Sequence, residues 1–170
     1  LKKYDVPTPR YTSYPTVPFW KDDLTDNEDW QQQIQKAIQA KKTTEGISLY
    51  IHLPFCEQLC TYCGCNKRIT KNHSVETVYI DALLKEWNLY KTILGDELVI
   101  RELHLGGGTP TFFSTENLVF LLTELLKDVK IHPKKEFSFE GHPNNTTKEH
   151  LQSLYNIGFR RVSFGVQDLN

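Results

Sequence analysis

Hydrophobic and polar positions change their spacing once along this chain, near residue 47. Before it, Pro7, Pro9, Pro15 and Pro18 mark an extended arm, because proline and the residue before it resist helix. Asp26 is a plausible N-cap for a helix that carries Trp30, Ile34, Ala37 and Ile38 at helical spacing and ends at Gly46. After residue 47 the pattern becomes strand, loop, helix, repeated. The strands are expected at Ile47–Leu53, Leu98–Leu105, Glu136–Glu140 and Arg161–Gln167, and the helices from near Ser74, Ser114 and Thr146. Thr146 and Glu149 fit a capping box, and Gly95 and Gly158 sit where helix C-caps belong. Leu118, Leu121, Leu122 and Leu125 share one helix face. Alternating strands and helices predict an α/β fold with parallel strands. The expected division is residues 1–46, arm and helix, and 47–170, the α/β unit.

Within each strand the two faces differ. Ile47, Leu49, Ile51 and Leu53 oppose Ser48, Tyr50 and His52; Leu103 and Leu105 oppose His104; Phe137 and Phe139 oppose Ser138 and Glu140. Val162, Phe164 and Val166 oppose Arg161, Ser163, Gly165 and Gln167. Strands buried on both faces of a doubly wound sheet would be apolar throughout. One apolar and one polar face suit a partial (β/α) barrel whose helices cover the apolar side and whose hollow is polar. Four strands do not close such a barrel. The expectation is therefore its first half, with the fourth strand as a bare edge unless another segment covers it.

Composition narrows the function. A net charge of -1 with Lys and Arg spread out gives no basic surface for nucleic acid or an anionic membrane. No stretch approaches the roughly eighteen apolar residues of a membrane helix, and the N-terminus has no apolar signal core. A cytoplasmic protein with reduced thiols is expected. All four cysteines lie between Cys56 and Cys65, which argues for metal or redox chemistry rather than disulfides.

CEQLCTYC places Cys56, Cys60 and Cys63 at C-x3-C-x2-C spacing directly after the first strand. Three thiolates can hold three irons of a 4Fe-4S cluster and leave the fourth open to a ligand. The spacing resembles that of radical S-adenosylmethionine (SAM) enzymes, in which SAM occupies that iron. The alternative is a zinc site using all four thiols, Cys65 included; zinc favours paired C-x2-C knuckles, which this run fits less well. Gly106 to Pro110, GGGTP, follow the second strand. There glycines allow close backbone approach and free N–H groups for a ligand, or simply a tight turn. Glu140 and Gln167 end the third and fourth strands on the polar face, as pocket walls or as solvated loop residues. Tyr62 can shield a cluster or stack on adenine. His52 and His104 face the hollow and read as hydrogen-bonded structure rather than metal ligands.

PRYTSYPT (Pro9 to Thr16), LYIHLPFCEQLCTYCGCNK (Leu49 to Lys67), LHLGGGTPT (Leu103 to Thr111) and FGVQDLN (Phe164 to Asn170) together resemble the oxygen-independent coproporphyrinogen III oxidase family. The resemblance runs from the proline-rich arm to the last residue, and the arm and CGCNK are closer to this family than the cysteine spacing alone. It implies a radical SAM type partial barrel with one 4Fe-4S cluster and two SAM molecules. It also implies conversion of two propionates of coproporphyrinogen III to vinyl groups, giving protoporphyrinogen IX, with an electron donor such as flavodoxin or ferredoxin. By the same resemblance Cys56, Cys60 and Cys63 hold the cluster and Cys65 does not. Tyr50, Gly107 and Glu140 contact the first SAM; Tyr62, Gly108, Thr109 and Gln167 contact the second. Two positions depart from the pattern: EGHP (Glu140 to Pro143) stands where members often read EVDP, and Tyr62 where some have Phe. Members are also far longer, so this chain alone is expected to be inactive as an oxidase. Two related activities remain as alternatives: a haem chaperone, which would lack the PRYTSYPT arm, and a radical SAM enzyme acting on haem.

Overall fold

Residues 27–40, 45–60, 63–95 and 98–165 are described by the computed structural model. The proline-rich arm, Asp26, Tyr62 and Gln167 lie outside the described residues. Ten regular elements follow in order: α1 (Asn27–Ala40), β1 (Ile47–Leu53), β2 (Phe55–Cys56), β3 (Arg68–Ile69), α2 (Val75–Leu94), β4 (Val99–Gly107), α3 (Thr115–Leu126), β5 (Lys130–Gly141), α4 (Lys148–Ile157) and β6 (Arg161–Phe164). Strands β1, β4, β5 and β6 form one parallel sheet in that order, and β2 and β3 a small parallel pair beside it.

The alternation along the strands decides which face the helices cover. Ile51, Leu53, Ile100, Leu103, Leu105, Phe137 and Phe139 join Ile80 and Trp87 of α2, Leu118, Leu121, Leu122 and Leu125 of α3 and Leu154 of α4 in one buried core. Each such side chain contributes about 1.5–3 kcal/mol when fully removed from water. Trp87 ties α2 to α3, its indole N–H donating to the Leu125 carbonyl at 2.9 Å, which satisfies an end group of α3. On β6 the apolar side is not covered among the described residues: Val162 and Phe164 are 37% and 41% exposed.

Several boundaries differ from expectation, each for a physical reason. Helix α1 is described as far as Ala40, and residues 41–44, which the expected helix end spans, lie outside the described residues; Gly46 (φ +76°) stands at the start of the sheet, where a Cβ would meet Arg101 Cβ at 2.9 Å. Strand β5 begins six residues early, at Lys130. Its register against β4 runs Ile100↔Ile131 and then Glu102↔Glu136, so residues 132–135 face Arg101 alone. Pro133 sits in that bulge, where a missing N–H costs no ladder bond. Helix α4 is capped by Thr147, not Thr146, and the third position of the box is His150 in place of the expected Glu149. The His150 ring can do this because Nδ1 accepts from Thr147 N–H at 3.2 Å while Nε2 donates to the Phe113 carbonyl at 2.8 Å. Thr146 is used elsewhere, its hydroxyl donating to the His142 carbonyl at 2.9 Å. Gly95 and Gly158 do cap α2 and α4, with positive φ.

Candidate radical SAM site

The carboxyl ends of β1 and β4 leave the sheet side by side and stay bonded. Gly108 N–H donates to the Leu53 carbonyl and Thr109 N–H to the Phe55 carbonyl, both at 2.9 Å. Contact is this close because Gly108 has no side chain: a Cβ there would lie 2.6 Å from the Pro54 carbonyl carbon and oxygen. On its other side β2 pairs with β3, with Arg68 N–H to the Pro54 carbonyl at 2.8 Å and Thr70 N–H to the Cys56 carbonyl at 2.9 Å. Cys56 is thereby fixed from both flanks. Its Sγ lies 3.3 Å from Thr109 Oγ1.

The other thiols sit on the loop between β2 and β3. Cys63 N–H donates to the Cys60 carbonyl at 3.0 Å. The Lys67 ammonium donates to the Cys63 and Cys65 carbonyls at 2.8 and 3.4 Å, folding the loop onto its own positive charge. All four cysteines are free thiols. Burial pushes the Cys56 thiol up, helped by the charges of Cys63 and Cys60 and opposed by its bond to Thr109. Hydrogen bonding from the Cys65 backbone and thiol holds Cys63 below the ordinary range, while Cys65, the donor thiol, is raised. Among the described residues no three His, Cys, Asp or Glu side chains converge on a point that one ion could fill. A 4Fe-4S cluster does not need such a point, since each thiolate binds its own iron. Free thiols at Cys56, anchored at the end of β2, and at Cys60 and Cys63 on the loop that follows, with Cys63 held low, fit that group.

The polar face of the sheet forms a continuous array beside these loops. His52 Nε2 donates to the Asn66 carbonyl at 2.8 Å, so Nδ1 is left to accept from the Tyr50 hydroxyl at 3.0 Å. Tyr50 is half exposed, and burial together with the Glu140 charge raises its phenol above the ordinary value. Its ring stacks on His104, centroids 5.8 Å apart and 21° between planes. Glu140 Oε2 accepts from Gly107 N–H at 3.3 Å. Gly107 adopts φ +114°, and a Cβ there would strike the His52 ring at 2.8 Å.

Tyr50, Gly107, Gly108, Thr109, Glu140 and Cys56 are thus brought together at one end of the sheet, with Cys60 and Cys63 on the adjoining loop. One expectation is corrected. The N–H groups of Gly107, Gly108 and Thr109 are not free, since each already has a protein acceptor in Glu140, Leu53 or Phe55. The loop is therefore pre-shaped by its own bonds, and its glycines serve close packing rather than an anion nest. His52 and His104 are hydrogen-bonded to protein groups, as expected.

A cluster that the sequence reading did not single out braces the site from below. Glu76, 1% exposed, accepts from Ser114 N–H at 2.9 Å and Asn117 Nδ2 at 2.6 Å. It also meets His73 Nδ1 at 2.7 Å. The His73 ring stacks on Phe112, 4.4 Å between centroids, and its Nε2 lies 3.6 Å from Glu57, the residue after Cys56. The sequence signal was present as His73 and Glu76 at i, i+3 spacing, but nothing marked the pair as buried.

A search of known proteins places these observations in a lineage. The family model described as the Radical SAM superfamily matches residues 50–170, and the chain belongs to that superfamily, whose chemistry rests on a 4Fe-4S cluster and SAM. The chain is 34% identical over 172 residues to oxygen-independent coproporphyrinogen III oxidase of Pseudomonas aeruginosa, covering 100% of this chain and 36% of that protein. It is 38% identical over 172 residues to the Helicobacter pylori (strain J99) protein of the same name, covering 100% of this chain and 37% of that protein. A solved structure of Escherichia coli coproporphyrinogen III oxidase, described as a radical SAM enzyme, superposes with a TM-score of 0.81 at 34% identity, over 95% of this chain and 36% of that one. The chain therefore spans little more than a third of the length of these relatives.

Proposed function

We propose that this chain carries the cluster- and SAM-binding part of an oxygen-independent coproporphyrinogen III oxidase. The proposed division is residues 47–170 as the barrel unit and residues 1–46 as an arm and helix. The observation that carries the reading is the stitching of the cysteine loop to the glycine loop, with Cys56 Sγ 3.3 Å from Thr109 Oγ1. A cluster held by Cys56, Cys60 and Cys63 would then lie beside the polar face that carries Tyr50, Gly107 and Glu140, the residues assigned to the first SAM. Tyr62, Gly108, Thr109 and Gln167 are assigned to a second SAM by the same family pattern. When bound, the cluster and SAM would supply radical chemistry for the oxidative decarboxylation of the propionates to vinyl groups. The chain's own residues orient the cofactor. Tyr50 presents a ring fixed by His52, and Glu140 presents a carboxylate fixed by Gly107. Lys67 holds the carbonyls of the cysteine loop together.

The reductant is a small electron-transfer protein such as flavodoxin or ferredoxin, and the setting is the cytoplasm. Nucleic acid and membrane are not partners. A net charge of -1 supports this, as does the lack of any described helix long and apolar enough to cross a membrane. Anaerobic reconstitution followed by iron and sulfide analysis and electron paramagnetic resonance tests the core of the reading. About four irons per chain are expected, lost on Ser substitution at Cys56, Cys60 or Cys63 and kept in Cys65→Ser. Stoichiometric zinc that disappears in Cys65→Ser refutes it.

A further inference from the structure

The residue at the middle of the polar face has no role in the reading so far. His104 stands on β4, between the Tyr50 side chain of β1 and the Ser138 and Glu140 side chains of β5. Its Nδ1 lies 2.8 Å from Ser138 Oγ, and its Nε2 lies 3.5 Å from Glu140 Oε1. A carboxylate only accepts, so the Nε2 facing it carries the proton, and Nδ1 accepts from the Ser138 hydroxyl. The Tyr50 ring stacks on the imidazole from the other side. Gly106 completes the seat: a Cβ there would come within 2.9 Å of Tyr50 Cε2 and 3.2 Å of His104 Nε2.

We propose that His104 is a positioning residue for SAM, acting through Glu140. Glu140 has two carboxylate oxygens and a different neighbour at each: Gly107 N–H bonds to Oε2, and His104 Nε2 lies 3.5 Å from Oε1. Its side chain is 47% exposed and that of His104 35%, so without the second contact the carboxylate would swing freely about the first. A group that must meet a ligand in one geometry binds better when its rotamer is already fixed. Ser138 in turn fixes the imidazole, so the order of action is Ser138 to His104 to Glu140 to ligand. The inference rests on the reading of Glu140 as a SAM contact.

The test is a double-mutant cycle, with SAM affinity measured by equilibrium dialysis on the cluster-loaded chain and iron content as the control. Glu140→Ala is expected to weaken SAM about tenfold, as the loss of a charge-assisted bond at a half-exposed site should. His104→Phe keeps the ring stack and loses the donor, and is expected to weaken SAM roughly fivefold, a coupling usual for contacting residues. In the Glu140→Ala background the same change is expected to have no effect. His104→Gln, whose amide reaches the Nε2 position, should restore most of the affinity. Ser138→Ala leaves the imidazole in place and should give a smaller loss, of about twofold, that also vanishes without Glu140. All these variants are expected to keep full iron content. Full SAM affinity in His104→Phe, or losses that multiply in the double variant, overturns the role of His104 and leaves Glu140 standing. Full affinity in Glu140→Ala removes the SAM contact itself, and the role of His104 with it.

Discussion

Removing the Glu76 carboxylate should cost more than any surface change in this chain, because it caps α3 from a neighbouring helix. Ser114 N–H and Asn117 Nδ2 both donate to Oε2, at 2.9 and 2.6 Å, and Oε1 takes His73. In Glu76→Ala the part-buried Ser114 N–H is left without its acceptor, which costs about 1 kcal/mol. The charged bond to Asn117 is worth about 1.5–3 kcal/mol, and a negative charge near a helix N-terminus about 0.3–1 kcal/mol more. The His73 side chain is 52% exposed, so its share is screened and adds little. These contributions overlap, and the net expectation is about 3–5 kcal/mol, a large fraction of a domain's total stability of about 5–15 kcal/mol. Urea unfolding followed by circular dichroism measures it, with Asp81→Ala on the exposed face of α2 as a control expected to stay within about 0.5 kcal/mol. Glu76→Gln should fall between, because its oxygen can accept only part of what the carboxylate accepts. A loss below about 1 kcal/mol in Glu76→Ala, with an unchanged denaturant slope, would show that Glu76 does not hold α3.

Two further outcomes follow from the same geometry. Gly108→Ala forces a Cβ to within 2.6 Å of the Pro54 backbone; a destabilisation of about 1–3 kcal/mol and reduced iron uptake are expected by thermal melt and iron analysis, and a wild-type melting temperature contradicts it. Burial raises the Tyr79 phenol, and its hydroxyl donates to the His52 carbonyl at 2.7 Å. The folded state then holds that proton more tightly than the unfolded state, so the bond's stability is present below the ordinary tyrosine value of about 10 and is lost as pH rises above it. Tyr79→Phe should flatten that alkaline loss in urea titrations and cost about 1 kcal/mol at neutral pH.

Strand β1 and the face of α3 were legible because period-two and helical spacing are strong where one side is buried: Leu118, Leu121, Leu122 and Leu125 are all at 1% exposure or less. The early start of β5 was not, because KIHPKKE is polar and carries a proline, and only the bulge opposite Arg101 makes room for both. The α4 cap was misplaced by one residue because histidine replaced the acidic side chain that marks a capping box. The neighbourhood of the site was legible from spacing, since Cys56, Gly107, Gly108, Thr109 and Glu140 all lie at or just beyond the carboxyl ends of strands. The donors already used inside it were not, because a glycine-rich turn reads the same whether its N–H groups await a ligand or bond to the next strand. Glu76 was missed because an acidic residue at a helix start ordinarily faces water.

The two backbone bonds from Gly108 and Thr109 to Leu53 and Phe55 also bear on how such a scaffold can be redesigned. The cysteine-bearing and glycine-bearing turns are not separate modules. Each supplies the other's missing partner, and a length change in one misaligns both. A graft that moves the cysteine run alone onto another parallel sheet leaves two carbonyls bare and lets Cys56 drift away from Thr109. The unit that can be transplanted is the pair, residues 47–70 together with 99–113, cut from adjacent strands and moved in register.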